Sequence, residues 1–363
     1  MSMKDCIVNF VSILKICAER KDLYKGIRIH DDIVKRGLVQ INPLLGSSLI
    51  NMYAKCGDLT KAQKLLNELP FRDIVSWNSL ISGFSQKGLV EDALNCLENL
   101  KREGFSPNAI TFVCILKACG MSKKVHIGKQ IHDEIVERGL LCGNIKLGNA
   151  LVDMYAKCSD LVKAQQVLDE IPSRDIITWS SLISGYAQQQ RGEDALNCFE
   201  RMQSEGLSPN AITLTCVLKA CASIRVLDKG KQIHDKIVSE GLLSRDLVLG
   251  TALVDMYARC GSFINAKNVL EELPSHDVVA WSALISGYTQ QGHGREALEC
   301  FNQMQQNGLT PDEVTFTCIL KACGDIREIQ KGKQVHEELI HNGLLKNNVV
   351  LGNALVDMYA KCG

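Results

Sequence analysis

The sequence predicts an all-α fold, a right-handed α-solenoid superhelix of helix-turn-helix units. The first observation behind this is a period of 102 residues. It spaces Cys56, Cys158, Cys260 and Cys362, then Trp77, Trp179 and Trp281, then Tyr53, Tyr155, Tyr257 and Tyr359. Six of the seven prolines obey it too: Pro70, Pro172 and Pro274, and Pro107, Pro209 and Pro311. A fixed long period marks a repeat array and not domains joined by linkers. The second observation is that apolar residues recur at helical spacing within every period, with no strand-like alternation of any length. Helical hairpins of this size cannot bury their own apolar faces and must stack on their neighbours. The stacked first helices are expected to line a concave groove.

After a short flank (1–6), the units run 7–42, 43–73, 74–108, 109–144, 145–175, 176–210, 211–246, 247–277, 278–312 and 313–348, with a partial unit at 349–363. Their lengths cycle through 36, 31 and 35 residues. The unit 74–108, IVSWNSLISGFSQKGLVEDALNCLENLKREGFSPN, shows the common logic. Val75, Leu80 and Ile81 are expected on one face of the first helix, and Gly88 marks the turn. Ala93, Leu94, Leu97 and Leu100 form the stripe of the second helix. Gly104 and Pro107 end the unit. The small residue opening the second helix recurs as Ala93, Ala195 and Ala297, which suits close helix crossing. The partial last unit has a first helix and no second, and Ile7 has only six residues before it. The array is therefore expected to continue beyond both ends.

Composition narrows the function classes. Lys plus Arg and Asp plus Glu are 41 each, so the net charge is zero, and hydrophobic residues make up 46%. That is a foldable composition, and it argues against a polybasic nucleic-acid coat. No apolar run reaches the roughly 18 residues of a membrane span. The opening MSMKDCIVNF lacks the plan of a signal peptide. The sixteen cysteines include no C-x-x-C pair, so neither a zinc site nor a disulfide framework is expected. Cys114 and Cys119 point about 140° apart on a helix. The cysteines are expected to be small buried residues in a reducing compartment. The His-x-Glu spacing of nucleobase deaminases occurs at His132-Asp133-Glu134 and His336-Glu337-Glu338 without the P-C-x-x-C that completes a zinc site. His30, His132, His234 and His336 stand three units apart and cannot share one metal. No catalytic residue, metal or cofactor is expected.

The alternating lengths, together with VSWNSLISGF, EGFSPN, GKQIHDEIVERGL and LVDMYAKCGDLTKAQ, resemble pentatricopeptide repeat proteins of the plant PLS subclass. The resemblance runs from Ile7 to Gly363. It identifies 7–42, 109–144, 211–246 and 313–348 as L units, 43–73, 145–175, 247–277 and the partial 349–363 as S units, and 74–108, 176–210 and 278–312 as P units. Tetratricopeptide repeats hold to 34 residues and fit poorly. The resemblance implies recognition of single-stranded RNA in mitochondria or chloroplasts, one base per unit, with the N-terminus toward the RNA 5′ end.

The family reads a base with the fifth and last residues of a unit. The chemistry follows independently. Guanine and uracil carry a ring N–H, which suits an acceptor-only Asp, whereas adenine and cytosine present an unprotonated ring nitrogen, which suits an Asn that can donate. A short Ser or Thr at the fifth position leaves room for a purine, and a longer Asn reaches a pyrimidine. Ser47 with Asp73 then predicts G, Asn78 with Asn108 a pyrimidine (C by the donor argument), Asn149 with Asp175 U, and Ser180 with Asn210 A. Thr251 with Asp277 and Ser282 with Asp312 each predict G. In the weaker L units, Thr215 with Asp246 leans to G and Thr317 with Asn348 to A, while Val11 and Val113 cannot hydrogen-bond a base. The predicted site is n-G-Y-n-U-A-g-G-G-a, 5′ to 3′. The competing expectation for each polar residue is a helix cap.

The resemblance also implies that the second residue of a unit wedges the base: Leu44, Val75, Ile177, Val248 and Val279, with Lys146 departing from the pattern. Lys55, Lys157, Arg259 and Lys361 recur in phase and are candidates for phosphate contact. The PLS subclass implies the recognition array of a C-to-U RNA editing factor, with a deaminase or editing-complex partner in trans. The alternatives are a binder that protects or processes transcripts and a solenoid that binds a protein.

Overall fold

The computed structural model describes residues 3–38, 42–274, 277–346 and 348–363. They form 21 α-helices, and no strand occurs among the described residues. The first half holds α1 (Met3–Arg20), α2 (Leu23–Lys35), α3 (Pro43–Cys56), α4 (Leu59–Glu68), α5 (Ile74–Gln86), α6 (Val90–Arg102), α7 (Ala109–Met121), α8 (Val125–Glu137), α9 (Ile145–Lys157), α10 (Leu161–Glu170) and α11 (Ile176–Gln188). The second holds α12 (Gly192–Ser204), α13 (Ala211–Ile224), α14 (Leu227–Ser239), α15 (Leu247–Arg259), α16 (Phe263–Glu272), α17 (Val278–Gln290), α18 (Gly294–Gln306), α19 (Glu313–Asp325), α20 (Ile329–His341) and α21 (Val349–Cys362). Odd-numbered helices are the first helix (A) of each hairpin and even-numbered ones the second (B).

The helices gather into two compact units, one ending at Gly185 and the other beginning at Tyr186, a division inside α11. In the first, α3, α5 and α7 each pack on the A helix before and the A helix after. In the second, α15, α17 and α19 do the same. Each compact unit is thus a stack of hairpins, the α-solenoid that the period predicts.

Capping starts the A helices where the units start. The side chains of Asn42, Asp73, Asn108, Asn144, Asn210, Asp246, Asp312 and Asn348 each accept a hydrogen bond from a backbone N–H of the first turn that follows. One such cap contributes about 1 kcal/mol. All of these caps are the last residue of a unit. Helix α1 opens at Met3, ahead of Ile7, so residues 3–6 of the expected flank belong to the first helix; Asp5 in its first turn favours that start.

The core forms along one face of each A helix. Leu80 and Ile81 on α5 are fully buried, with Leu151 and Val152 on α9 and Leu253 and Val254 on α15 in the same register. Val75 does not join Leu80 and Ile81: it is 56% exposed. Five residues of helix turn it about 140° away from Leu80. Ala93, Ala195 and Ala297 are fully buried, as close crossing requires. The junctions between the 36-residue units and the 31-residue units that follow them are tight. Gly26, Gly128, Gly230 and Gly332 face the methionine of the next A helix, and a Cβ there would stand 2.3–2.5 Å from sulfur. The four phased histidines sit at the same junctions. Nδ1 meets the Tyr hydroxyl of the next A helix at 2.8 Å (His30–Tyr53, His234–Tyr257) or 3.0 Å (His132–Tyr155, His336–Tyr359). Burial lowers the pKa of His30 and His132 and raises Tyr53 to about 12. Burial thus favours the neutral imidazole at His30 and His132, and the four His–Tyr contacts tie neighbouring units together.

The sixteen cysteines are free thiols. Burial pushes Cys96, Cys119 and Cys221 up to about 12, so they pack as small apolar groups. Cys142 corrects the expectation of burial: it is exposed, in the turn between α8 and α9.

Candidate functional site

The last residue of one unit, capping the next A helix, comes to the fifth residue of its own unit. Asn78 Nδ2 donates to Asn108 Oδ1 at 3.2 Å, and Asn149 Nδ2 donates to both carboxylate oxygens of Asp175 at 3.1 Å. Ser47 Oγ lies 3.2 Å from Asp73 Oδ1, and Ser282 Oγ 3.2 Å from Asp312 Oδ1. So four of the predicted pairs meet, and each is also a cap: the two expectations are one arrangement.

Three of the remaining pairs differ. Among the described residues, Thr251 Oγ1 is buried with no partner and the Asp277 side chain makes no cap hydrogen bond. Thr215 and Thr317 turn their hydroxyls back to the carbonyls of Ala211 and Glu313, at 2.8 Å each, while Asp246 and Asn348 cap α15 and α21. Ser180 donates to the carbonyl of Ile176 at 2.6 Å. Its expected partner Asn210 falls in the other compact unit and caps α13 at Thr213.

The second-position residues stand beside these pairs. Leu44, Val75, Ile177, Val248 and Val279 are 55–67% exposed, which no core residue of these helices is. Lys146 is exposed as well. The L units and the partial unit carry the same feature at Val8, Ile110, Ile212, Val314 and Val350, all exposed and all absent from the sequence expectation. The period itself carries that signal. In the second compact unit the elements converge on a cavity of ≈ 450 Å³, lined by Val248, Thr251, Asp277, Val279, Ser282, Asp312 and Val314 among others.

Charge at this face is arranged differently from the expectation. Lys157 pairs with Asp153 at 2.7 Å, Arg259 with Asp255 at 2.8 Å, and Lys361 with Asp357 at 2.8 Å and Asp325 at 2.9 Å. Those hydrogen bonds, Asp357's first, raise Lys361 above the usual lysine range. Lys55 has Asn51 where the others have Asp, and no ion pair is recorded for it among the described residues. Lys219 lines the same cavity, four residues after Thr215 and hence on its face of α13. It is exposed, and it recurs at the 102-residue period as Lys15, Lys117 and Lys321.

A second omission from the sequence expectation is the hydroxyl three residues after the cap. Thr111 Oγ1 donates to Asn78 Oδ1 at 2.7 Å. Thr178 Oγ1 bonds Asn149 Oδ1, and Ser76 and Thr315 reach Asp73 and Asp312 at 2.6 Å each. The pattern Asp/Asn-x-x-Ser/Thr is visible in sequence, but only folding shows that it also touches the residue some thirty positions earlier.

Comparison with known proteins places this arrangement. The PPR repeat family model matches residues 72–121, 174–223 and 276–325, and the PPR repeat model matches 47–74, 149–176 and 251–278. The chain belongs to the pentatricopeptide repeat family. Among curated relatives in Arabidopsis thaliana, a chloroplastic pentatricopeptide repeat-containing protein is 36% identical over 98% of this chain and 57% of its own length. A mitochondrial one is 33% identical over 98% of this chain and 51% of its own length. The chain thus spans about half the length of the curated relatives it matches. Among solved structures, the pentatricopeptide repeat protein PPR10 in complex with an 18-nt psaJ RNA element superposes with a TM-score of 0.71 at 22% identity, over 86% of this chain and 47% of that one. The likeness shows that this pentatricopeptide repeat chain shares the fold.

Proposed function

We propose that this chain is a sequence-specific single-stranded RNA binder that reads one base per unit. The observation that carries the reading is the meeting of fifth and last residues beside an exposed aliphatic side chain, as at Ser282, Asp312 and Val279 around one cavity. A base wedged by the aliphatic presents its Watson–Crick edge to the polar pair. The net charge of zero fits a protein that relies on base readout more than on phosphate attraction. The RNA in the PPR10 structure and the chloroplastic or mitochondrial names of relatives support an organellar RNA target. The L, S and P lengths support the PLS subclass and, with it, the recognition array of a C-to-U editing factor whose deaminase acts in trans.

The test is fluorescence anisotropy with RNA carrying n-G-Y-n-U-A-g-G-G-a, with base-permuted RNA and with the matching DNA. The first is expected to bind tightest. Equal affinity for the permuted RNA would remove base reading. Asp312→Asn is expected to shift preference at the ninth base from G toward A.

A further inference from the structure

We propose that the third-position hydroxyl of Ser76, Thr111, Thr178, Thr213 and Thr315, each in the unit that follows an S or P unit, is a positioning residue that sets how sharply the preceding unit reads its base. This rests on the base-reading proposal above and deepens it.

The cap residue has two polar side-chain atoms, and at Asp312 and Asn108 the local bonds settle which one is left for a ligand; at Asp175, Asn149 Nδ2 reaches both oxygens. Asp312 Oδ1 accepts from Thr315 N at 2.8 Å and from Thr315 Oγ1 at 2.6 Å, with Ser282 Oγ 3.2 Å away. No hydrogen bond to its Oδ2 is recorded among the described residues. Asp73 repeats the two bonds to Oδ1, from Ser76 N at 2.8 Å and Ser76 Oγ at 2.6 Å, while Ser47 Oγ also comes within 3.4 Å of its Oδ2. In Asn108 the single oxygen receives Thr111 N and Thr111 Oγ1 at 3.1 Å each, and Asn78 Nδ2 at 3.2 Å. The Asn108 amide nitrogen therefore has to face away from the cap. An Asp held this way offers an acceptor, and an Asn held this way offers a donor. The third-position hydroxyl also bonds the fifth-position residue in the Asn78 and Asn149 sites, so it fixes both members of the pair at once.

The chain contains its own control. Of the six S and P reading sites, five are followed by a third-position hydroxyl: Ser76, Thr111, Thr178, Thr213 and Thr315. The sixth has Ala280. At that site, among the described residues, the Asp277 side chain makes no cap bond and Thr251 Oγ1 is buried without a partner. The L sites have leucine in this place (Leu45, Leu147, Leu249 and Leu351). Ser47 and Ser282 bond both a carbonyl of their own helix and the cap residue, whereas among the described residues Thr215 and Thr317 bond the helix carbonyl alone. The eighth base, read by Thr251 and Asp277, is therefore read loosely, although its pair specifies G as Ser282 and Asp312 do at the ninth.

Thr315→Val removes the hydroxyl at nearly constant volume, and Ala280→Ser supplies the one that Ser76 supplies elsewhere. The probe is fluorescein-labelled RNA of sequence UGCUUAGGGA with G replaced by A at the second, eighth or ninth position. The wild-type chain is expected to discriminate G from A more at the ninth base than at the eighth. Thr315→Val is expected to lower the ninth-base ratio about three- to tenfold, the worth of one hydrogen bond, and to leave the second-base ratio unchanged. Ala280→Ser is expected to raise the eighth-base ratio by a similar factor. A purely structural role would shift the melting temperature of both variants and move no ratio, and that result overturns the proposal. A wild-type ratio of one at the ninth base removes the base-reading proposal, and the positioning role with it; a high wild-type ratio that ignores Thr315→Val removes the positioning role alone.

Discussion

Asn149 and Asp175 lie at the two ends of one unit, yet Asn149 Nδ2 donates to both oxygens of the Asp175 carboxylate at 3.1 Å. The same carboxylate accepts from the backbone N–H groups of Ile177 and Thr178 at 2.9 Å each, holding the start of α11. Burial works to raise its pKa, but the hydrogen bonds from Thr178 and Asn149 outweigh it, and the carboxyl sits below the usual aspartate value. One side chain is thus a helix cap and half of a proposed reading pair, and it stays charged as an acceptor. Asp175→Asn keeps the cap, since Asn caps as well as Asp. The fifth RNA base is then expected to change from U to C, measured by anisotropy with RNAs differing only there. An unchanged preference for U would take Asp175 out of the reading pair.

Val279 and Leu284 separate binding from stability on one helix. Val279 is 55% exposed and Leu284 is fully buried. Val279→Ala is expected to change unfolding free energy by under about 0.5 kcal/mol while weakening RNA binding. Leu284→Ala is expected to cost about 2–5 kcal/mol in stability. Urea unfolding and RNA titration of both variants check this. Undiminished binding by Val279→Ala would place the wedge elsewhere.

Salt dependence distinguishes the cations. Lys219 lines the cavity and no ion pair is recorded for it among the described residues, whereas Arg259 is held by Asp255. If Lys219 neutralises one phosphate, Lys219→Gln lowers the slope of log K against log salt by about 0.7. Asp255→Asn releases Arg259 and is expected to raise that slope. Equal slopes in all three proteins would assign both cations to the solvated surface.

Low pH is expected to weaken the junctions. Burial lowers the folded-state pKa of His30 and His132 below the ordinary 6.5. The unfolded chain then takes up protons that the folded chain refuses, so their contribution is complete above pH 6.5 and falls as the pH drops below it. The thermal midpoint should decline between about pH 7 and pH 5. His132→Gln should flatten part of that decline, and an identical pH profile in the variant would show that the histidine titrates alike in the folded and unfolded chain.

The 102-residue period and helical spacing were enough to specify an all-α repeat array, because apolar residues at that spacing leave hairpins with one face that only a neighbour can cover. Asp and Asn at unit ends marked the start of the A helices, since capping is a local interaction between residues three apart. What depended on tertiary structure was everything that joins residues about thirty apart. Ser47 reaches Asp73, His132 reaches Tyr155, and Gly128 meets Met154 only once hairpins stack. The same holds for exposure: Val75 and Leu80 are both aliphatic in one helix, and only packing decided that one is buried and the other faces out. Ala280 is the sharpest case. In sequence it is an ordinary alanine in a good helix, and only the folded chain shows that it leaves Thr251 and Asp277 without the hydroxyl that fixes their counterparts.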